Sequence, residues 1–343
     1  MEKLVPNPVL RALEALAAGD ALGSTSEFQQ LDQVASTYKK WKSEGWPFAQ
    51  VGGGAFHWKA GNATDDATMA RAIVDSWLEQ GEQFCSEDIG RRFIEWMNSN
   101  PPDIGLTTRQ ALSAVQEGTP AWRGGYEIWK SNSHAWSNGS LMRNGVVESM
   151  GGSMSDAFDR TLEHGLITHW TVLPAICCAA QTYLLRNPSQ LSSWMDEFRI
   201  SWEAWLEEST SEHVLEWKSE TAHAHAESWE VFEVADFNPD TFQPFHNLCS
   251  PGSDGFVLTT FQVGVWAMHW ASRNIPLPES SRPPWPDLEA FEKTGGHALG
   301  WVALVGRDSD TYAATAGAMV RAVADLPSGM CENLEAVSGL SPT

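Results

Sequence analysis

The sequence predicts an all-α fold. Apolar residues recur at steps of three and four in segment after segment, and no alternating stretch is long enough for a convincing strand. At 343 residues, with 42% hydrophobic and 19% charged residues, the composition is globular and the chain can bury a large core.

Taken in order, the spacing predicts a helix over 7–20, opened by Asn7 and Pro8, with Leu10, Leu13, Leu16 and Ala17 on one face. A second over 65–79 places Met69, Ile73 and Trp77 at steps of four. A third over 86–98 follows a Ser86 cap with Ile89, Phe93, Ile94 and Met97. Segments 107–117, 155–166 and 171–186 repeat the pattern. Over 192–208, Trp194, Phe198, Trp202 and Trp205 form an aromatic stripe that reads as a core face. Helices over 255–271 and 311–324 complete the set. The last is rich in small residues (Ala313, Ala314, Ala316, Gly317, Ala318), which lets its backbone approach neighbours closely.

The glycine-rich stretch 44–63 and the Pro/Asn/Ser-rich stretches 236–254 and 274–290 read as irregular. The stretch 207–235 is dense in Glu, His and Trp and reads as helical in part. His213, His223 and His225 lie there without a supporting ligand pattern and read as exposed histidines on an acidic surface. The chain is expected to form one domain, 1–343, with an insertion at about 190–250.

A formal charge of −22, from 44 acidic against 22 basic residues, repels phosphate backbones and anionic lipid. Nucleic acid and membrane are therefore not the expected partners, and a basic protein is compatible. The longest apolar stretches, 171–180 and 261–271, are too short or too interrupted to span a bilayer, and the N-terminus lacks a charged-then-apolar leader pattern. Five cysteines without metal-ligand spacing, Cys177 and Cys178 adjacent among them, read as reduced packing residues. The expected location is cytoplasmic.

Two acidic clusters stand at predicted helix starts, Thr64-Asp65-Asp66 and Asp308-Ser309-Asp310-Thr311. Asp and Thr are favoured N-caps, so either cluster alone is compatible with capping. Together they offer four carboxylates and two threonine hydroxyls, all oxygen donors of the kind hard divalent cations take. Other signals fall around them in order: Gly19-Asp20-Ala21-Leu22-Gly23, Glu27-Phe28, Gly52-Gly53-Gly54, Ser137-Asn138-Gly139-Ser140-Leu141-Met142-Arg143, and Thr168-His169. Asn-Gly-Ser is also an ordinary turn sequence, and a single histidine is also an ordinary packed side chain.

This order of motifs resembles the ADP-ribosylglycohydrolase family, which includes the dinitrogenase reductase-activating glycohydrolases, over roughly 10–186 and 254–324. The resemblance implies an orthogonal helical bundle with a dinuclear centre of two Mg²⁺ or Mn²⁺ ions, held by Thr64, Asp65, Asp66, Asp308, Asp310 and Thr311. It implies that Asn138, Gly139, Ser140, Met142 and His169 bind the ADP-ribose, and that Glu27 closes over the metals. Asp20 would tie loops near the site. The activity implied is removal of ADP-ribose from a modified acceptor, a protein side chain or a small conjugate, by cleavage at the distal ribose. Glu27, Asp66 and Asp308 are the catalytic candidates, and the choice of general base among the carboxylates stays open. Two alternatives keep the same scaffold: a non-catalytic module that binds ADP-ribose or a partner, and an immunity protein against an ADP-ribosylating toxin. The chain departs from the family pattern at Ala67, where threonine is usual, at Arg307 beside Asp308, and in the insertion, which is expected to set the choice of substrate or partner.

Overall fold

The computed structural model describes residues 7–247, 254–283, 285 and 295–340. The expected loop positions 248–253, 284 and 286–290, with the last residues of the insertion, lie outside the described residues. The α-helices are α1 (Pro8–Gly23), α2 (Leu31–Ser43), α3 (Asp65–Glu79), α4 (Ser86–Asn98), α5 (Leu106–Gln116), α6 (Tyr126–Ser131), α7 (Leu141–Asn144) and α8 (Met154–Leu166). They continue with α9 (Val172–Arg186), α10 (Trp194–Glu208), α11 (Glu212–Thr221), α12 (His225–Glu233), α13 (Pro244–Asn247), α14 (Val257–Arg273), α15 (Ala298–Ala303) and α16 (Ser309–Val320). No extended strand forms among the described residues; an isolated bridge pairs Gly53 with Trp58 inside the glycine-rich stretch. Among the described residues no helix is long and apolar enough to cross a membrane.

The periodic segments become helices within two residues of their expected starts. Asn7 caps α1 by accepting the Val9 N–H at 2.9 Å, and Pro8 takes the first helical position, where its missing N–H costs nothing. Ser86 is the first residue of α4 rather than its cap; Cys85 precedes it and offers no capping hydrogen bond. Helix α2 was not among the expected segments. Its apolar positions Val34, Tyr38 and Trp41 are isolated among polar residues, and a Gln30–Gln33 capping box opens it in place of the usual Ser or Thr.

The chain divides into two compact units. One combines the described residues up to Thr68 with those from Asp236 onward; the other is Met69–Ala235. In the first unit every residue of α16 is buried, as expected for a helix apolar on all sides. Helices α1, α14 and α15 pack around it. The α1–α16 contact is made backbone to backbone. A Cβ at Gly19 would lie 1.9 Å from the Ala313 carbonyl oxygen, one at Gly23 2.1 Å from that of Ser309, and one at Gly317 2.2 Å from that of Ala15. The small residues of the last helix therefore set its distance to α1.

In the second unit α8 packs on α9, and the aromatic stripe of α10 closes over them. Trp194, Phe198, Trp202 and Trp205 are all buried, with Phe158 edge-on to the last three of these rings. Helices α11 and α12 belong to this core as well. Trp217 and Phe232 are completely buried, and the Trp217 indole donates to the Trp170 carbonyl at 2.8 Å. Two of the three histidines here are not on the open surface as expected. His213 stacks on Trp122 at 4.3 Å and lies 3.3 Å from Glu163, and His225 stands edge-on to Trp217; only His223 is exposed. Neighbouring tryptophans, which periodicity within one helix does not locate, cover the other two.

Candidate active site

The first unit gathers the two acidic clusters through the α1–α16 contact. Asp20 lies on the buried face of α1, three residues before Gly23, and is itself fully buried. Its carboxylate accepts the Thr64 N–H at 2.9 Å, the Thr64 hydroxyl at 2.7 Å and the Ala67 N–H at 3.1 Å. It thus satisfies backbone donors at the start of α3 that the helix cannot satisfy itself. This fastens Thr64, Asp65 and Asp66 to α1. At the other cluster, Ser309 donates to the Gly23 carbonyl at 2.8 Å and pairs with the Ser26 hydroxyl at 2.8 Å. The N-terminus of α16 is thereby fixed to the end of α1.

Between these anchors, Asp66 Oδ2 lies 3.4 Å from the Thr311 hydroxyl and 3.2 Å from that of Thr64, whose hydrogen goes to Asp20. Oxygens of Asp65, Asp66 and Asp310 come within 4.8 Å of one another, an arrangement able to hold a metal ion. Asp308, at the N-cap of α16, accepts the Gly255 N–H at 3.2 Å. Glu27 is buried in the turn after α1. Arg307, beside Asp308, points its guanidinium toward Asp254 at 3.5 Å and Gln30 at 3.3 Å.

The electrostatics of this cluster are severe. Burial, then the charges of Asp65, Asp20 and Asp308, raise the Asp66 carboxyl well above the usual range. Burial, then Glu27, Asp66, Asp308 and Asp65, do the same to Asp310. Asp66 Oδ1 and Asp310 Oδ1 are buried and have no hydrogen-bond partner among the described residues. Buried carboxylate oxygens left unmatched are costly, and a hard cation is the group that oxygen donors so arranged accommodate. The donor set therefore fits a divalent metal, which was expected of these residues.

The second unit holds Asn138, Gly139, Ser140, Met142 and His169, all near the start of α7 and the end of α8. The turn is closed by the Leu141 and Met142 N–H groups, which donate to the Asn138 carbonyl at 2.8 and 3.1 Å. Gly139 faces His169: a Cβ there would lie 2.9 Å from its Cε1. Arg143, the last residue of the 138–143 segment that the family resemblance expects along the ADP-ribose pocket, is the organising cation of this turn. Fully buried, it donates to the Gly139 carbonyl, to the His164 carbonyl at 3.1 Å and to the Thr168 hydroxyl at 2.7 Å. Thr168, which accepts from Arg143, lies 2.7 Å from His169 Nδ1 and has its own hydrogen to offer there. His169 Nε2 lies 2.8 Å from the Ser137 hydroxyl, so a Thr168 hydrogen on Nδ1 would put the ring proton on Nε2, facing Ser137. Burial and then the Arg143 charge push the His169 pKa down to about 3, so the ring is neutral at pH 7. A lone Arg four residues after a glycine in a turn was the available signal for this role.

Comparison with known proteins agrees with the architecture. The sequence profile of the family described as ADP-ribosylglycohydrolase matches residues 4–340. An ADP-ribosylarginine hydrolase of Pseudomonas putida is 30% identical over 188 residues, covering 51% of this chain and 46% of the relative. The ADP-ribosyl-dinitrogen reductase glycohydrolase of Rhodospirillum rubrum is 35% identical over 116 residues, covering 34% of this chain and 37% of the relative. Each match thus spans less than half the length of the curated relative. A solved structure described as an ADP-ribosylglycohydrolase-related protein complex superposes with a TM-score of 0.52 at 20% identity, over 93% of this chain and 88% of that one. That likeness shows a shared all-helical fold.

Proposed function

Because the chain belongs to the ADP-ribosylglycohydrolase family, we propose that it is a metal-dependent hydrolase that removes ADP-ribose from a modified acceptor, a protein side chain first among the candidates. The bond cleaved would be the glycosidic bond at the distal ribose. The observation that carries this reading is the pair of buried, unmatched carboxylate oxygens, Asp66 Oδ1 and Asp310 Oδ1, inside a cluster of oxygen donors. A scaffold kept only for binding has no need to hold that many carboxylates together against their repulsion.

Thr64, Asp65, Asp66, Asp308, Asp310 and Thr311 would hold two divalent ions, Mg²⁺ or Mn²⁺. Bound there, such ions supply Lewis acidity and an orienting template. The chain's own residues would do the rest. A carboxylate of the cluster, Glu27, Asp66 or Asp308, would take the proton from the water that attacks the anomeric carbon as positive charge develops on the ribose ring. Asp20 would keep Thr64, Asp65 and Asp66 in place through its three hydrogen bonds. The 138–142 turn and His169 would receive the ADP-ribose moiety, with Gly139 lacking a side chain and His169 neutral.

The relatives named for ADP-ribosylarginine and for dinitrogen reductase support a protein-linked arginine acceptor as the first to try. The test is a panel of arginine-, serine- and small-molecule-linked ADP-ribosyl conjugates, incubated with the protein with and without chelator. Release of ADP-ribose from at least one conjugate, abolished by chelator and restored by Mg²⁺ or Mn²⁺, is expected. No release from any member in either metal would overturn the proposal.

A further inference from the structure

A groove of about 380 Å³ lies between α10 and α12, with Ile176 of α9 in its lining. Trp202 and Trp229 supply aromatic walls, and Glu203, Glu230 and Glu233 lie along it. The chain's own Arg199 shows what this lining holds. Its guanidinium lies 5.4 Å from the centre of the Trp229 ring, its Nε meets Glu203 at 3.0 Å, and its Nη1 meets Glu233 at 3.1 Å. A ring face flanked by carboxylates suits a planar, weakly hydrated cation better than a compact ammonium.

One arginine does not balance three glutamates, so the groove keeps an excess of negative charge. His225, the remaining titratable group of the lining, adds no opposing charge at pH 7. Burial, then the Lys218 and His223 charges, lower its pKa to about 4. The indole N–H of Trp229 is buried and has no hydrogen-bond partner among the described residues. That donor is closed off from the groove, so the choice of occupant rests on charge and ring chemistry, three carboxylates and two indoles against one arginine.

We propose that this groove binds an arginine side chain of a basic protein partner. The formal charge of −22 draws such a partner in, and the groove gives the encounter a fixed point. The charged and aromatic residues involved lie in the insertion, outside the motifs of the acidic cluster, so the proposal holds whether or not the acidic cluster hydrolyses ADP-ribose.

The probe is a capped Gly-Arg-Gly-Arg-Gly peptide, set against the same peptide with neutral citrulline replacing arginine. Binding is read by calorimetry and by the indole N–H NMR signals of Trp202 and Trp229. The arginine peptide is expected to shift both signals, and the citrulline peptide to bind at least about tenfold more weakly. Combined Glu203→Gln, Glu230→Gln and Glu233→Gln should weaken the arginine peptide by a similar factor. Arg199→Ala should strengthen it, because the ring face and two carboxylates are released. Circular dichroism of each variant confirms the fold, and cleavage of a small ADP-ribosyl conjugate should be unchanged in both. Equal binding of the citrulline peptide, unchanged affinity in the triple variant, or no shift at either indole would overturn the proposal. A wild-type protein that binds the arginine peptide yet cleaves no conjugate would count against the proposed hydrolysis and leave the groove standing.

Discussion

Asp20 and Thr64, 44 residues apart, are joined twice: the Asp20 carboxylate takes the Thr64 N–H at 2.9 Å and the Thr64 hydroxyl at 2.7 Å. Through this pair α1 holds the first turn of α3, and with it Asp65 and Asp66. Asp20→Ala strips three donors of their acceptor in a buried site. It should lower stability by about 3 kcal/mol, offset in part by the removal of one buried negative charge. Divalent-ion affinity should fall as well, although Asp20 is not assigned as a ligand. Chemical denaturation together with Mn²⁺ titration checks both, and an unchanged ion affinity would show that Asp20 does not position the cluster.

Asp66→Asn and Asp310→Asn remove a charge with almost no change in volume. Each should abolish turnover and the rise in melting temperature that Mg²⁺ or Mn²⁺ gives the wild type, since an ion bound only by the native state stabilises it by mass action. In chelator the variants should melt no lower than the wild type, because carboxylate repulsion is relieved. Scanning calorimetry with and without metal separates these effects. A variant that keeps the full metal-dependent shift would remove that residue from the ligand set.

Gly23→Ala and Gly317→Ala would each push a methyl into a carbonyl oxygen at about 2 Å across the α1–α16 contact. Forced separation of the two helices should cost about 3 kcal/mol or more, beyond ordinary overpacking, because backbone yields less readily than a side chain. Gly23→Ala should also weaken ion binding, since Gly23 adjoins Ser309 and Asp310. Thermal melts that stay within a degree of wild type would contradict this account of the helix contact.

His169 has a folded pKa of about 3, below its unfolded value near 6.5. As pH falls, the unfolded chain takes up the proton first. The stability contributed by the neutral ring is therefore complete above about pH 6.5 and is lost progressively from there down to about pH 3. His169→Gln should make the decline in stability over this window shallower by up to one proton. Imidazole NMR of the wild type should show the proton on Nε2 and no titration from pH 8 to about pH 5. A midpoint near pH 6.5 would rule out the Arg143–Thr168–His169 chain as drawn.

Several features were legible in the chain because they are local. The helices over 65–79 and 86–98 begin and end where apolar periodicity puts them, since burying one face every 3.6 residues is a property of the segment itself. The small residues of α16 announced a close helix contact, and the stripe from Trp194 to Trp205 announced a core face. Helix α2 escaped because its few apolar residues and its glutamine capping box give a weak local signal.

By itself the sequence determined an all-helical chain of the ADP-ribosylglycohydrolase family, with its oxygen donors concentrated at two helix starts about 240 residues apart. Only the tertiary structure decided that those starts meet, because bringing Asp66 within 3.4 Å of the Thr311 hydroxyl depends on how closely α1 and α16 pack. It also decided that Asp20 serves as an acceptor for α3, that Arg143 holds Thr168 beside His169, and that α11 and α12 carry core residues. Each of these is a contact between residues far apart in the chain. Local propensity limits which residues can make such a contact, but packing in three dimensions selects the pair that does.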